Sequence, residues 1–291
     1  MASYTRREFG KLACSLAACS LAAMPLAALL GGCTGGSTAG SGSTAGAKAA
    51  SEGALRAGVR ADVMGFGYLN EHTGNYYGLE IDLVNEVAAR LGYDEVEFVT
   101  VIPDDRKEML LSGKVDLIAA CYSIADSRLE NLDFSPAYYD DHVIAVVQNS
   151  SMITTIDDMR GRTFGTMAGA NAAPLLSIKL YEIGFSNGEV VSADEENTNV
   201  TFDTWNLLQF PSYQELSDAL EEGIVDAMVL DGAIAQTYMD DKRTYIEDFV
   251  VAEQSYGIAT QKDSDLSEPL ADAVQDMLDD GFIARIIDKW D

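Results

Sequence analysis

The sequence predicts an α/β fold of two lobes with a cleft between them. Two observations lead to this prediction. The segment GKVDLIAACYS at 113–123 is echoed by GIVDAMVLDGA at 223–233, and an acidic amphipathic helix precedes each copy. In both copies an apolar run of strand length ends in polar residues, as parallel strands of α/β sheets do at their ligand-binding edge. Two related units in one chain therefore predict two lobes.

The first 32 residues predict an export signal. TRREF at 5–9 is a twin-arginine pattern, an apolar run follows it to Leu30, and LGGC at 30–33 has the form of a lipobox. In such signals the cysteine, here Cys33, becomes the lipidated first residue of the mature protein. An uncleaved membrane anchor is the alternative, because the apolar run approaches spanning length. Residues 33–52 have no apolar period and predict a disordered tether.

Hydrophobic periodicity predicts the first elements of lobe 1: a strand at 54–59, a loop through Tyr77, a helix over 79–91 and a strand at 96–102. Asp104 or Asp105 is expected to cap the next helix, which carries Arg106 in its first turn. A cation at this end opposes the helix dipole, so Arg106 is predicted to have an anionic partner.

The strand predicted over 115–122 breaks into a polar turn with Ser123, Asp126 and Arg128 at the start of a predicted helix. A guanidinium is a rigid fork of donors that matches a carboxylate, and the serine hydroxyl adds another donor. The alternative is a surface arginine that caps its own helix. The corresponding position in the second copy is Asp231, so the cleft suits a zwitterion, with its carboxylate on Arg128 and its ammonium on Asp231.

Residues 140–147 are predicted to cross into lobe 2, which opens with a strand at 163–169 and a helix from about Ala172. The turn through Gly169, Ala170 and Asn171 leaves free backbone N–H groups at that helix start, which is an anion site.

Three further predictions concern the rest of lobe 2 and its return to lobe 1. The long segment 184–213 is interpreted as an extra edge hairpin rather than a lid. A second crossing is predicted near 250–259, and the last amphipathic helices, through Trp290, are expected to pack back on lobe 1.

Composition excludes several functions. The formal net charge is −28, and removal of the predicted leader takes away three of the 19 basic and one of the 47 acidic residues, leaving −30. Such a body should avoid nucleic acids and anionic membranes. Cys121 is the one thiol expected in the folded body, where a buried apolar role is favoured over a reactive one. His72 and His142 have no partner at ligand spacing, so no zinc or copper site is predicted.

At this point the chain resembles the amino-acid-binding members of the bacterial extracellular solute-binding protein family 3, which serve ABC transporters. The resemblance covers about residues 52–291 and rests on five segments in the family's order: the stretch from LRAGVRAD to VAARLG, GKVDLIAACYSIADSRLENLDFSPAYYDDHVIAVV, MRGRTFGTMAGANA, VDAMVLDGAIAQTY and GFIARIIDKW. It implies the type II periplasmic-binding-protein fold, with mixed sheets flanked by helices and two crossing strands. The implied boundaries are 53–142 and 256–291 for lobe 1 and 143–255 for lobe 2.

The resemblance also implies roles for individual residues. Arg128 and Ser123 match the positions that hold the α-carboxylate, Gly169–Asn171 closes on it from lobe 2, and Asp231 matches the acceptor for the α-ammonium. Cys121 lies on the same wall of the cleft. The family usually has a serine or threonine at the 168–171 turn, and its absence here puts side-chain hydroxyl help in doubt, although Asn171 can donate instead.

Side-chain selectivity is predicted from Arg60, Arg106 and Tyr213, because relatives that bind glutamate or aspartate look similar at these places. Buried charges need partners, and a neutral ligand would leave the two cations besides the carboxylate-binding arginine without an anion. In the alternative, Arg60 or Arg106 pairs with an aspartate of this chain, at 62, 104 or 105.

The resulting prediction is a monomeric, lipid-anchored binding protein on the outer face of the cell membrane. It captures glutamate or aspartate by lobe closure without a cofactor and delivers it to the transmembrane subunits of an ABC permease. Two alternatives remain open. One is an enzyme resembling cyclohexadienyl dehydratase, with a cleft carboxyl as general acid. The other is a ligand sensor that acts through a partner.

Overall fold

A computed structural model describes residues 53–290 and shows two separate main sheets, each flanked by helices, so the two-lobed α/β architecture is confirmed. The predicted export signal, Cys33 and the tether lie outside the described residues. Within the described part of the chain, no helix combines the length and the apolar character needed to span a membrane.

The first sheet has the strand order β5-β1-β6-β15-β7. Its strands are β1 Leu55–Val59, β5 Val96–Thr100, β6 Leu117–Ala119, β7 Leu132–Phe134 and β15 Ala259–Gln261. Strand β1 pairs in parallel with β5 and β6, whereas β15 runs antiparallel to β6 and β7. The sheet is therefore mixed, and β6 is shorter than the strand predicted over 115–122.

Where a loop was predicted, the chain forms a small antiparallel sheet of three strands. These are β2 Asp62–Val63, β3 Gly67–Asn70 and β4 Asn75–Tyr77. The loop prediction was wrong because the turn between β3 and β4 is closed by backbone bonds from the amides of Thr73 and Gly74 to the carbonyl of Asn70.

Four helices accompany the first sheet: α1 Leu79–Leu91, α2 Arg106–Leu111, α6 Ser267–Asp279 and α7 Phe282–Trp290. Helix α1 has the predicted bounds and ends at Gly92, whose φ of 81° is the left-handed conformation that glycine adopts readily. It packs against α6 and α7, and the indole N–H of Trp290 donates to Asp82 at 2.7 Å. The C-terminal helices thus return to the first lobe, as predicted.

The second sheet has the order β10-β11-β12-β9-β13-β8-β14. Its strands are β8 Tyr139–Gln148, β9 Thr163–Met167, β10 Val190–Ala193, β11 Asn199–Phe202, β12 Asn206–Phe210, β13 Ala227–Asp231 and β14 Arg243–Tyr256. Its α-helices are α3 Ala172–Glu182, α4 Tyr213–Glu221 and α5 Gly232–Ala235, and short 3₁₀ helices lie at Asn149–Ser151, Ile156–Met159 and Gln236–Tyr238. Strand β9 is parallel to β12 and β13, and the remaining pairs are antiparallel.

Strands β8 and β14 form an antiparallel ribbon that connects the two halves of the molecule. A bridge between Ser123 and Tyr256 joins the end of this ribbon to the first lobe, and β15 follows in the first sheet. Both crossings therefore lie where the sequence predicts them. The lobe boundaries at 142/143 and 255/256 fall within these strands and stay predictions.

The helix predicted after Ser123 does not form. The amide of Ile124 bonds to the carbonyl of Ser255, and short-range bonds such as Arg128 N–H to Ala125 then fold the segment into turns. That bridge and the start of β7 at Leu132 leave only a short connection between two fixed ends. Tertiary pairing outweighs the local helical pattern, so Arg128 does not cap a helix.

The segment 184–213 contains the predicted hairpin, formed by β10 and β11 at the edge of the second sheet. Trp205 is buried and stacks on Phe202 with their ring centroids 4.2 Å apart. The aromatic residue thus belongs to the core of this lobe, and the lid interpretation is wrong for it.

Candidate functional site

The predicted site residues lie where strands of the two sheets end. Arg60 follows β1 directly, and the segment 121–123 follows β6 in the first lobe. In the second lobe Gly169 follows β9, and Asp231 is the last residue of β13. The α/β rule that ligands meet strand ends therefore applies to both halves of the site.

One ring organises two of the predicted arginines. The guanidinium carbons of Arg106 and Arg128 lie 4.0 and 4.5 Å from the centre of the Tyr122 ring, which is a cation–π distance. Arg128 also donates to the carbonyl of Ser123 at 2.6 Å. Burial, followed by the nearby positive charge of Arg106, lowers the pKa of Arg128 to about 10. The two cations are close enough to repel each other, and an anion between them would be stabilised.

Arg106 begins α2 as predicted, but its surroundings differ from the expectation. Asp105 occupies the N-cap position, yet its carboxylate accepts from the amide of Ile102 at 2.9 Å instead of capping α2. Arg106 is buried and donates to the carbonyl of Ala120 at 2.7 Å, while its Nε has no partner. Among residues 53–290, no carboxylate oxygen lies within 4.0 Å of this guanidinium, so its predicted anionic partner is not a described residue of the chain.

Arg60 is neutralised within the protein. Only 1% of its surface is exposed, and its Nε and one terminal nitrogen donate to the two carboxylate oxygens of Asp62 at 2.9 and 2.7 Å. Its guanidinium lies 5.2 Å from the ring centre of Tyr213, which comes from the other lobe. The alternative pairing with an aspartate therefore holds for Arg60 and fails for Arg106. The other terminal nitrogen of Arg60, NH1, is buried without a partner.

A buried carboxyl group, Glu80, lies in the same region and was not predicted. Its Oε1 accepts from the amide of Cys121 at 2.6 Å and from the hydroxyl of Tyr138 at 2.5 Å, while its Oε2 is unpartnered. Burial raises the pKa of Glu80, although both hydrogen bonds and the charges of Arg60 and Arg106 oppose the shift. The cations Arg60 and Arg106 therefore lie near a carboxyl group whose charged form is disfavoured by burial.

Cys121 lies at the centre of the first-lobe wall and is buried, as favoured from its sequence context. Its φ of 46° places it in the left-handed region, which a non-glycine residue occupies at a cost of about 1–3 kcal/mol. That conformation accompanies the bond from its amide to Glu80. Burial raises the pKa of the thiol well above its usual value, which disfavours a reactive thiolate.

The second lobe reaches the first at the 168–171 turn. Gly169 has a φ of +71°, and a Cβ placed on it would lie 2.5 Å from the Cα of Asp104. This turn therefore touches the start of α2 across the cleft. Ala170 is part of the same turn, and Asn171 occupies the N-cap of α3 without a side-chain capping bond, which leaves its amide group free of that role.

Asp231 is 5% exposed and accepts from the hydroxyl of Tyr256 at 2.7 Å. Burial raises its pKa, and its charge acts on Arg128 and Tyr213 as well as on Arg106. The acidic and basic residues predicted for opposite walls thus lie within electrostatic range of one another. Their arrangement suits a small zwitterion enclosed between the lobes.

The sequence reasoning missed three residues, and two of them carried a usable signal. Glu80 lies on the buried stripe of α1, since position 80 shares a face with Val84 and Val87. Asp141 alternates with Val143 and other buried residues along β8, which marks it as an inward-facing carboxylate. Tyr122 gave no comparable signal, because its role depends on two arginines that tertiary structure brings to it.

Residues 55–291 match the sequence profile of the bacterial extracellular solute-binding proteins, family 3. The chain belongs to this family. Among its relatives, the ABC transporter glutamine-binding protein GlnH of Bacillus subtilis is 27% identical over 233 residues, covering 79% of this chain and 78% of that protein. The glutamate-binding protein GluB of Corynebacterium glutamicum is 26% identical over 245 residues, covering 78% and 74%.

A solved structure of an ancestral arginine-binding protein bound to arginine has 27% sequence identity and a TM-score of 0.67, and the similarity covers 82% of this chain and 98% of that one. The fold of this family 3 protein is the two-lobed type II periplasmic-binding-protein fold. It is an amino-acid-binding solute-binding protein of ABC importers.

Proposed function

We propose that this protein captures glutamate or aspartate and delivers it to an ABC permease. The observation that carries the proposal is the pair of guanidiniums on Tyr122, of which Arg106 is buried and Arg128 half-buried. Neither Arg106 nor Arg128 has a carboxylate oxygen within 4.0 Å among residues 53–290, so two carboxylates of a ligand would balance them. Unpaired buried cations are costly, and a dicarboxylic amino acid supplies both anions.

In this proposal the ligand's α-carboxylate meets Arg128, Ser123 and the 169–171 turn, and its α-ammonium meets Asp231. Cys121 lines the wall beside them. The distal carboxylate would satisfy Arg106 Nε and Arg60 NH1, both of which are buried donors without partners. Tyr213, next to Arg60, would border the same end of the ligand.

A neutral ligand, glutamine, is the second candidate. The bidentate ion pair between Arg60 and Asp62 removes one of the two surplus cations, and Glu80 adds a carboxyl group nearby. A glutamine side-chain carbonyl could accept from the same two unpartnered donors without bringing a charge. The choice between the candidates therefore depends on Arg106.

The deciding experiment compares the affinities of wild type and Arg106→Met for glutamate and glutamine by calorimetry, after a thermal-shift screen of the protein amino acids. A bound dicarboxylate should lose about 2–5 kcal/mol in the variant, while glutamine should change little or improve. Arg162→Met is the matched control, because Arg162 is half-exposed and pairs with Asp226. A wild type that prefers glutamine to both acidic amino acids would contradict the dicarboxylate assignment.

The lipid anchor is part of the proposal and rests on the LGGC sequence at 30–33. An anchored domain on a tether of about 20 residues, with a root-mean-square span of about 25 Å, can reach a neighbouring permease. Cys33→Ser should abolish lipid labelling and release the protein from membranes. Labelling that persists in this variant would exclude Cys33 as the lipid site.

A further inference from the structure

Two buried carboxyl groups share one hydroxyl group at the crossing between the lobes. The Tyr256 hydroxyl oxygen lies 2.7 Å from Oδ2 of Asp141 and 2.7 Å from Oδ2 of Asp231. A phenol has one hydrogen, which it can donate to only one of them. The other contact is favourable only if the carboxyl group supplies the hydrogen. The contacts among the three side chains are therefore satisfied best when one of the two carboxyl groups is protonated as well as the phenol.

The backbone is arranged to keep this geometry. Asp141 also accepts from the amide of Ala233 at 3.1 Å, at the start of α5. A Cβ placed on Gly232 would lie 2.9 Å from Oδ1 of Asp141, closer than real Cβ contacts come, so the residue after Asp231 must be small. Asp141 thus accepts a backbone hydrogen bond besides its contact with Tyr256, so we place the additional proton on Asp231.

Other charged groups act on Asp231 from the neighbouring elements. Its pKa is raised by burial and by Asp141, and it is lowered by Tyr256 and by the charge of Arg106. The titratable and charged groups that interact with it are Tyr256 on β14, Asp141 on β8, Tyr213 on α4, and Arg106, Cys121 and Arg128 from the first lobe. Among these groups Tyr256 is hydrogen-bonded to Asp231, so its hydroxyl affects the proton on Asp231 more directly than the charges of Arg106 and Arg128 do.

Asp141 also borders a cavity beside the ribbon of β8 and β14. Asp141 lines a cavity of about 450 Å³ together with the side chains Asp140, His142, Glu253, Gln254 and Ser255. Asp231 does not line this cavity. The cavity would give a proton released from the pair a path to solvent on the Asp141 side.

We propose that Asp141 and Tyr256 are positioning residues that make ligand binding release a proton: Asp231 is protonated in the ligand-free protein and gives its proton to water when an ammonium group arrives. The O–H bond of the Asp231 carboxyl group breaks, its electron pair stays on the carboxylate, and the ligand keeps its –NH₃⁺ group. This inference rests on the proposed function, because it takes Asp231 as the ammonium acceptor. It predicts tighter binding as pH rises toward neutrality.

The test is calorimetry with L-glutamine and L-glutamate between about pH 5 and about pH 8, in pairs of buffers whose ionisation enthalpies differ: acetate and MES in the lower part of the range, phosphate and Tris in the upper part. Wild type should release about one proton per ligand in the lower part of this range, where its affinity should rise about tenfold per pH unit. L-Glutamine carries no titrating side chain, so any proton comes from the protein. Wild-type binding without proton release at any of these pH values would overturn the proposal.

Two variants assign the proton. Asp141→Asn should still bind, but proton release and the rise of affinity with pH should disappear. Asp140→Asn is the matched control, because it removes an equal charge from the neighbouring exposed position, where the carboxylate accepts from Ser255 at 2.6 Å. It should keep the wild-type proton release. Equal proton release in wild type and Asp141→Asn would overturn the role of Asp141.

Infrared spectroscopy of the ligand-free protein separates this inference from the proposed function. At about pH 5, wild type should show a protonated-carboxyl band that is lost in Asp141→Asn, while any band from Glu80 is common to both. If neither amino acid binds, the proposed function fails and this band still decides the proton sharing. Should Asp141→Asn fail to fold, the absence of a protonated-carboxyl band from the spectrum of Glu80→Gln at the same pH would overturn the inference.

Discussion

At the scale of single residues, the site is a set of charges that the protein itself does not fully balance. Tyr122 holds the guanidiniums of Arg106 and Arg128 on its ring, and a cation–π contact at a desolvated site contributes about 2 kcal/mol. The ring thus offsets part of the cost of burial and of the repulsion from Arg106, which together lower the pKa of Arg128. An anionic group that binds between the two arginines would offset the rest.

Arg128→Ala should nearly abolish amino-acid binding. Removing one partner of a buried charge pair costs about 2–5 kcal/mol, which corresponds to an affinity at least tens of times weaker. Calorimetry measures this loss, and Arg160→Ala serves as control because that arginine is half-exposed, with Asp157 as its ion-pair partner. A loss smaller than about threefold would remove Arg128 from the carboxylate site.

Glu80 should make stability depend on pH. Folding raises its pKa above the ordinary 4.5, so the folded state holds the proton more tightly, and the free energy of unfolding falls as pH rises from about 4.5 toward the folded value. Glu80→Gln keeps an acceptor for Cys121 N–H and Tyr138 and should remove this fall. In urea unfolding, the free energy of unfolding of Glu80→Gln relative to that of wild type should therefore be higher at about pH 7 than at about pH 4.

Glu80→Ala completes that comparison. It leaves the Cys121 amide and the Tyr138 hydroxyl buried without their acceptor and should cost about 1–3 kcal/mol for each unsatisfied group. Glu86→Gln, on the more exposed face of α1, should stay within about 0.5 kcal/mol of wild type. A wild type and Glu80→Gln with parallel pH profiles would contradict the raised pKa.

At the scale of elements, the strands and helices with strong periodicity were predictable and the connections were not. The bounds of α1 follow from its apolar stripe and from Gly92, both of which are local. The segment after Ser123 has a similar helical pattern, but its ends are held by the bridge to Tyr256 and by β7. Those constraints come from residues more than a hundred positions away, which a local pattern does not contain.

The same reasoning explains the candidate site. The positions of Arg60, Arg128 and Asp231 at strand ends could be predicted, because strand ends can be read from apolar runs. The pairing of Arg60 with Asp62 could only be offered as an alternative, since it depends on the turn into β2. The sharing of Tyr256 by two carboxyl groups joins three strands of the second sheet and has no local signal.

The hairpin of β10 and β11 should be stabilised chiefly by Trp205. This residue is 2% exposed, stacks on Phe202 and meets the edge of Phe164 at 5.6 Å. Trp205→Ala should cost about 3–5 kcal/mol in urea unfolding, because it opens a large cavity. Val191→Ala, on the exposed strand β10, should change stability by less than about 0.5 kcal/mol. Similar effects of the two substitutions would argue against a core role for the indole.

At the scale of the whole molecule, capture of a ligand depends on how closely the lobes approach. Gly169 of the 168–171 turn lies against the backbone of Asp104 in the first lobe, and the contact leaves no room for a side chain. Gly169→Ala should therefore hold the lobes apart and weaken binding by roughly tenfold or more, since overpacking costs about 1–3 kcal/mol.

Gly184→Ala is the matched control for that substitution. Gly184 has the same φ of +71°, and a Cβ placed on it would meet nothing within 4 Å. Both variants should lose similar stability through backbone strain, whereas only Gly169→Ala should lose affinity by calorimetry and become more extended in small-angle scattering with ligand. Equal affinities for the two variants would show that the 168–171 turn does not limit closure.

The strand order of the first sheet also means that β7 is synthesised long before the strand with which it pairs. Strand β7 pairs with β15, which lies between it and β6, yet the ribosome makes β15 about 125 residues later, roughly 6–25 s at ordinary rates of translation. During that interval β7 has no neighbour in its sheet. All seven strands of the second sheet lie between residues 139 and 256, so they are synthesised within the same interval. The nascent chain therefore carries β7 unpaired while the strands of the second lobe are made.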